Sequence, residues 1–365
     1  MTGNRGKTIS LGYFNLARGA GMILIVFGHC VNLYSAVDLS ADSAPFLFSG
    51  MGSVLGGGIM AAFFMSSGIC FFRRSMARCL KVQAKLLLRP YFVVAAAVIL
   101  TKIALAIVRQ RPFSLHGGEY VPTYLLGLNA EGGGWILGVP VESVSILWFV
   151  LALFGGWILY NEISQLGSQA LRLVCVLCCV VIGYLMTLLS KVWPFCLPMA
   201  FLAAGYLAAG ERIKKKNLLE RKIPVGWDIL IWTVLAVCMA FGRVNIVAGV
   251  WELGLLDVLG SFLCGFEILR LYACFMRREH SGHIAAFLEE IGFHSMWIIC
   301  LHAYEKIIFP WYRVMELFVD CPVVGVLVCF AGRCAVMYIL YLIIRTVAEQ
   351  YRIHRGGKNR WTLEE

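Results

Sequence analysis

Apolar residues run along this chain in blocks about as long as a bilayer is thick, separated by short polar or charged links. The blocks fall near 11–36, 45–72, 90–108, 145–161, 171–190, 193–210, 227–243, 246–275, 286–309 and 321–348. Each is long enough to cross the hydrocarbon as a helix, so the pattern predicts an all-α, polytopic integral membrane protein with about ten transmembrane helices. The first block is too long for the apolar region of a signal peptide and has no small-residue cleavage pattern after it, so it counts as a span. Residues 1–10 then form a short N-terminus, 11–348 one transmembrane domain and 349–365 a basic tail.

Charge orients the spans. Arg73, Arg74, Arg78, Lys81, Lys85 and Arg89 occur within 73–89 without an acid, and "ERIKKKNLLERK" at 211–222 and "RIHRGGKNR" at 352–360 are also strongly basic. Even numbers of spans separate these segments, so all three share a face, and lysine and arginine are retained on the cytoplasmic side. Both termini are expected there. The loop "SAVDLSAD" on the other side carries Asp38 and Asp42, and the longest external segment, 109–144, begins with Arg109 and Arg111 and contains "EGGGW". At that length it is either a lid or acceptor-binding element or a structural re-entrant loop. The stretch "RRSMARCLKVQAKLLLRP" reads as an amphipathic helix along the inner interface, ending at Pro90.

Composition narrows the picture further. Hydrophobic residues make up 60% of the 365 and charged residues 15%, and the mean hydropathy is +0.79, far from the range of soluble domains. The net charge of +11 sits in clusters beside apolar spans, where topology and anionic lipid explain it better than nucleic acid does. Most of the fourteen cysteines lie inside apolar blocks, where a thiol acts as a small hydrophobe. "CVLCC" at 175–179 has no histidine or carboxylate beside it, and "HSGH" at 280–283 reads as a solvated loop, so no metal is expected.

Candidate chemistry begins in the first span. Arg18 and His29 are eleven residues apart, which places them on one helical face about 16 Å apart along the axis. An arginine near a helix start commonly snorkels and sets topology. A histidine in mid-span must face the bundle interior or a wet cavity, where a group titrating near neutrality can move protons. His302 and Glu305 share a face of the ninth span, where they either orient a substrate, pair with His29 or hold each other structurally. Glu252, Asp257 and Glu267 on the eighth span are further acids available to set the tautomer of His29. Ser66 and Ser67 read as helix-contact residues rather than nucleophiles. Trp135, Tyr120 and Tyr124 suit either an interfacial belt or stacking on a sugar ring.

Five stretches together resemble the acyltransferase family 3 membrane proteins. "FNLARGAGMILIVFGHC" is similar to the family's first helix, with an arginine, ten residues and a histidine. "AAFFMSSGICFFRR" at 61–74 is similar to its Phe-Phe-x-x-Ser-Gly helix end, and "LLLRPYF" at 86–92 and "ILWFVLAL" at 146–153 to the openings of later helices. "IGFHSMWIICLHAY" at 291–304 resembles the late Ile-Gly-x-x-Ser segment of the branch with fucose 4-O-acetylase-like proteins. One position departs: Leu86 stands where the family often has the first arginine of an Arg-x-x-Arg pair, with Lys85 beside it.

The resemblance implies transfer of an acyl group, usually acetyl from acetyl-CoA, to a hydroxyl of a carbohydrate at the cell envelope. That places the protein as a multi-pass protein of a bacterial cytoplasmic membrane, with a carbohydrate or lipid-linked glycan acceptor and no metal. His29 is then the general base. Arg18, Arg73, Arg74, Arg78 and Arg89 supply positive charge for the phosphates of CoA, a role that the 73–89 cluster can share with lipid binding. His302, Glu305 and Trp135 are candidates for the acceptor site. The rival reading is a transporter or exporter of a polar or glycan substrate, with the same charges as a proton relay.

Overall fold

Each of the ten apolar blocks contains helix in the computed structural model, which describes residues 11–37, 50–110, 120–136, 138–190, 192–276 and 282–354. Residues 1–10, Asp38, Asp42, Arg111, His280 and 355–365 lie outside the described residues, so "HSGH" is represented only by Gly282 and His283. The chain forms α1 (Leu11–Val37), α2 (Gly50–Ile69), α3 (Met76–Gln83), α4 (Arg89–Val108) and α5 (Tyr120–Leu126). A ribbon of β1 (Asn129–Ile136) and β2 (Val139–Ser143) follows, then α6 (Trp148–Gln165), α7 (Gln169–Leu189), α8 (Leu197–Lys215) and α9 (Val225–Phe241). A second ribbon, β3 (Val244–Asn245) and β4 (Val250–Trp251), leads to α10 (Leu255–Met276), α11 (His283–Phe293), α12 (Ser295–Ile308), α13 (Trp311–Glu316) and α14 (Pro322–His354). Among the described residues, seven helical runs are long and apolar enough to cross a membrane. An eighth joins them if α11 and α12, bent by 77° at a break, form one span. The chain is a multi-pass, all-α membrane protein.

The structure differs from the sequence expectation at three places, each for a local reason. Pro90 does not end the basic helix: residues Ala84–Leu88 form a π turn, and the chain runs through Pro90 into α4. A proline lacks its N–H and crowds the carbonyl four residues back, and a widened turn relieves both problems. The eighth block begins as the β3–β4 ribbon, so the helix starts at Leu255 and leaves Glu252 exposed in the turn before it. The long 109–144 segment is partly ordered as α5 and the β1–β2 ribbon, with Trp135 opposite Pro140 and Gly134 opposite Val141. Asn129 joins the two ribbons by donating to the Val247 carbonyl at 2.8 Å.

Aromatic and small residues make the core around α2. Phe64 stacks on Tyr206 of α8 at 5.7 Å between ring centroids and meets Phe149 of α6 at 4.6 Å. Tyr206 stacks in turn on Phe262 of α10 at 4.0 Å, and its hydroxyl pairs with Ser261 at 2.6 Å. Backbones approach closely where side chains are missing, the usual device of helix contacts in lipid. The approach that matters for the site joins α1 to α11. A Cβ on Gly292 would collide with the Asn15 carbonyl, and one on Gly19 with the Leu288 carbonyl. These contacts fix α1, and with it His29, against the α11–α12 break.

Candidate active site

Three elements converge on one buried carboxylate. His302 and Glu305 lie one turn apart on α12 and are both fully buried. His302 Nδ1 stands 2.6 Å from Glu305 Oε1. Phe309 and Pro310 end α12 and turn the chain back, so that Trp311 at the start of α13 donates its Nε1–H to Glu305 Oε2. Arg333, in the apolar interior of α14, places Nη1 3.7 Å from Glu305 Oε1 and its guanidinium over the Trp311 ring at 5.6 Å. Cys30, Met315 and Cys329 pack around this group as a small apolar cluster. When Glu305 is ionised it only accepts hydrogen bonds, and His302 then donates from Nδ1 and holds a lone pair at Nε2. That Nε2 is buried and has no hydrogen-bond partner.

His29 completes the group from α1. Its ring centroid lies 5.3 Å from that of His302, with the planes tilted by 50°. Unlike His302, it keeps part of its surface open. An imidazole with part of its surface open, beside a second imidazole tied to a carboxylate, is an arrangement able to take up and return a proton.

The other expected site residues sit elsewhere. Arg18, about 16 Å along α1 from His29, directs Nε to the Ser66 hydroxyl of α2 at 3.5 Å. Ser66 donates its own proton to the Phe63 carbonyl at 2.8 Å, so it serves as a bridge between helices. Arg73, Arg78 and Arg89 are exposed, as are Lys85 and Leu86. Arg74 is held differently: buried Asn161 of α6 accepts from its backbone N–H at 3.0 Å and donates to its carbonyl at 2.9 Å, and Gln165 donates to the same carbonyl at 2.8 Å. The Arg74 Nη1 atom is buried without a hydrogen-bond partner. Trp135 projects from β1, 74% exposed.

The remaining intramembrane acids have other partners. Asp257 accepts from the backbone N–H groups of Leu253 at 2.9 Å and Arg243 at 3.3 Å, fastening the second ribbon to α10. Glu267 pairs with Arg270 at 3.1 Å, which also binds Asp228 of α9 at 2.5 Å. Three members of the site and its surroundings were not singled out from the sequence: Trp311, Arg333 and Asn161. A signal existed for Arg333, a cation in the middle of the apolar run Pro322–Val347 and twelve residues before the other one, Arg345, where an ionisable side chain is a functional candidate by default. None existed for Trp311, whose role depends on the turn after α12.

The fold defines a multi-pass membrane protein that brings two histidines of different helices together inside its bundle. The family model for the acyltransferase domain of family 3 matches residues 11–342, and the chain belongs to that family of membrane acyltransferases. No curated protein and no solved structure matches the chain.

Proposed function

We propose that the chain is a membrane O-acyltransferase that moves acetyl from cytosolic acetyl-CoA to a hydroxyl of an extracytoplasmic or lipid-linked glycan. The observation that carries this reading is His29, open on one side and backed by the Glu305-tied His302. Acyl transfer from a thioester needs a base as the hydroxyl attacks the carbonyl carbon. In the proposed step His29 takes the hydroxyl proton, the new C–O bond forms, the C–S bond breaks, and the CoA thiolate recovers the proton.

The donor is polyanionic, and the arginines suit it. Arg18, Arg73, Arg74, Arg78 and Arg89 receive the phosphates, for which the guanidinium fork is well shaped. The extended pantetheine arm covers a separation of the order of that between Arg18 and His29, about 16 Å. Trp135 offers a flat apolar face for a sugar ring. The location that follows is the bacterial cytoplasmic membrane, with the basic 73–89 segment on the cytosolic side.

The test is purified, reconstituted protein given acetyl-labelled acetyl-CoA and glycan-bearing membranes, with CoA release and glycan label both read. Release matched by label in the glycan supports the proposal. No consumption of acetyl-CoA, together with glycan movement across proteoliposomes, would establish the transporter reading in its place.

A further inference from the structure

We infer that His302 is a positioning residue that fixes the tautomer of His29. The inference rests on the acyl-transfer reading with His29 as the catalytic base. It begins from an unusual feature of the site: His302 Nε2 is buried and unpartnered, although every other polar atom of the His302–Glu305 pair is engaged. An unpartnered buried lone pair is costly, on the order of 1–3 kcal/mol, and calls for a donor.

The surrounding residues determine which nitrogen is left free. Glu305 is held on both oxygens, by His302 and Arg333 on Oε1 and by Trp311 on Oε2. It has no freedom to turn, so with Glu305 ionised the Nδ1–H of His302 stays on it and Nε2 stays an acceptor. The His29 ring, 5.3 Å away between centroids, is within reach by a small ring rotation or through one bridging water. When His29 donates one N–H to that acceptor, its other nitrogen is left with the lone pair, on the open side of the ring. The chain Glu305, His302, His29 thus aims a base at the acceptor hydroxyl by hydrogen bonding alone. The same logic, an acid fixing a histidine tautomer, is worth several orders of magnitude in hydrolases with a Ser-His-Asp triad.

Two substitutions separate positioning from mere packing. His302→Asn leaves an amide where Nδ1 stands, able to reach Glu305 but not His29, whereas His302→Gln leaves one near Nε2. His302→Asn is expected to lower kcat about 100-fold with KM for acetyl-CoA unchanged, and His302→Gln to stay within about tenfold of the wild type. A His302→Asn enzyme with kcat within about threefold of wild type would overturn the inference, as would equal losses in both variants.

A readout independent of turnover accompanies the kinetics. In 15N-histidine spectra of the purified protein, His29 should be one tautomer in the wild type and a mixture in His302→Asn. A mixture already present in the wild type would overturn the inference. A wild type that shows one His29 tautomer but consumes no acetyl-CoA would leave the His29–His302 link standing and remove the acyl-transfer reading.

Discussion

The charges around Glu305 and the charges between Ile69 and Pro90 obey opposite rules. Glu305, His302 and Arg333 are buried, with Trp311 closing over them, and each ionisable group is placed against another. Arg73, Arg78, Lys81, Lys85 and Arg89 stand exposed along α3 and its flanks, within reach of solvent. A buried network works as a unit, because removing one member leaves another uncompensated in a low dielectric. An exposed row works by number, and each member adds a little that salt can screen. The first suits chemistry at one atom, and the second suits holding a flexible polyanion.

Substitutions can break this contrast, and the largest effect belongs to the buried side. His29→Ala is expected to lower kcat by about 100-fold to 10,000-fold, the range for loss of a general base, with the protein still folded. Steady-state kinetics on the purified variant checks this. Next in size is Arg333→Met, which leaves Glu305 buried with less compensation and should destabilise the fold by about 3–5 kcal/mol. Thermal unfolding in detergent measures it, and adding Glu305→Gln to the same chain should recover most of the loss. If Arg333→Met unfolds at the wild-type temperature, the network is not coupled.

Asn161→Ala comes third. It strips the partner from the Arg74 backbone N–H and leaves only Gln165 on its carbonyl, and should cost about 1–3 kcal/mol, while raising KM for acetyl-CoA more than it lowers kcat. Smallest are Arg73→Ala and Arg78→Ala, each expected to raise that KM only about two- to fivefold, additively and less at high salt. Complete loss of activity from either one alone would place it in a network like that of Glu305 and erase the contrast.

Much of the fold was legible because lipid imposes a single requirement, a long apolar helix, and among the described residues seven helical runs meet it, against the ten blocks of the sequence. The exceptions show where the signal stops. Residues 246–254 are apolar enough to pass for the start of a span, yet Asp257 gathers the N–H groups of Arg243 and Leu253 and makes a ribbon there. Pro90 reads as a stop, yet the π turn before it makes room for the ring and the helix continues. At the site, the pairing of His302 with Glu305 was open to sequence reasoning through their spacing, and its nearness to His29 stood as one of several alternatives. The cap over Glu305 was not. Trp311 reaches it through a turn at Phe309 and Pro310, and Arg333 comes from another helix, so neither leaves a trace in spacing.

The most direct test of the account is acetyl-CoA-dependent release of CoA thiol by the protein reconstituted in liposomes, with the wild type beside His29→Gln. The account predicts steady release by the wild type in the presence of a glycan acceptor, and a rate at least about 100-fold lower for His29→Gln at the same KM for acetyl-CoA. Equal rates in the two proteins would contradict it.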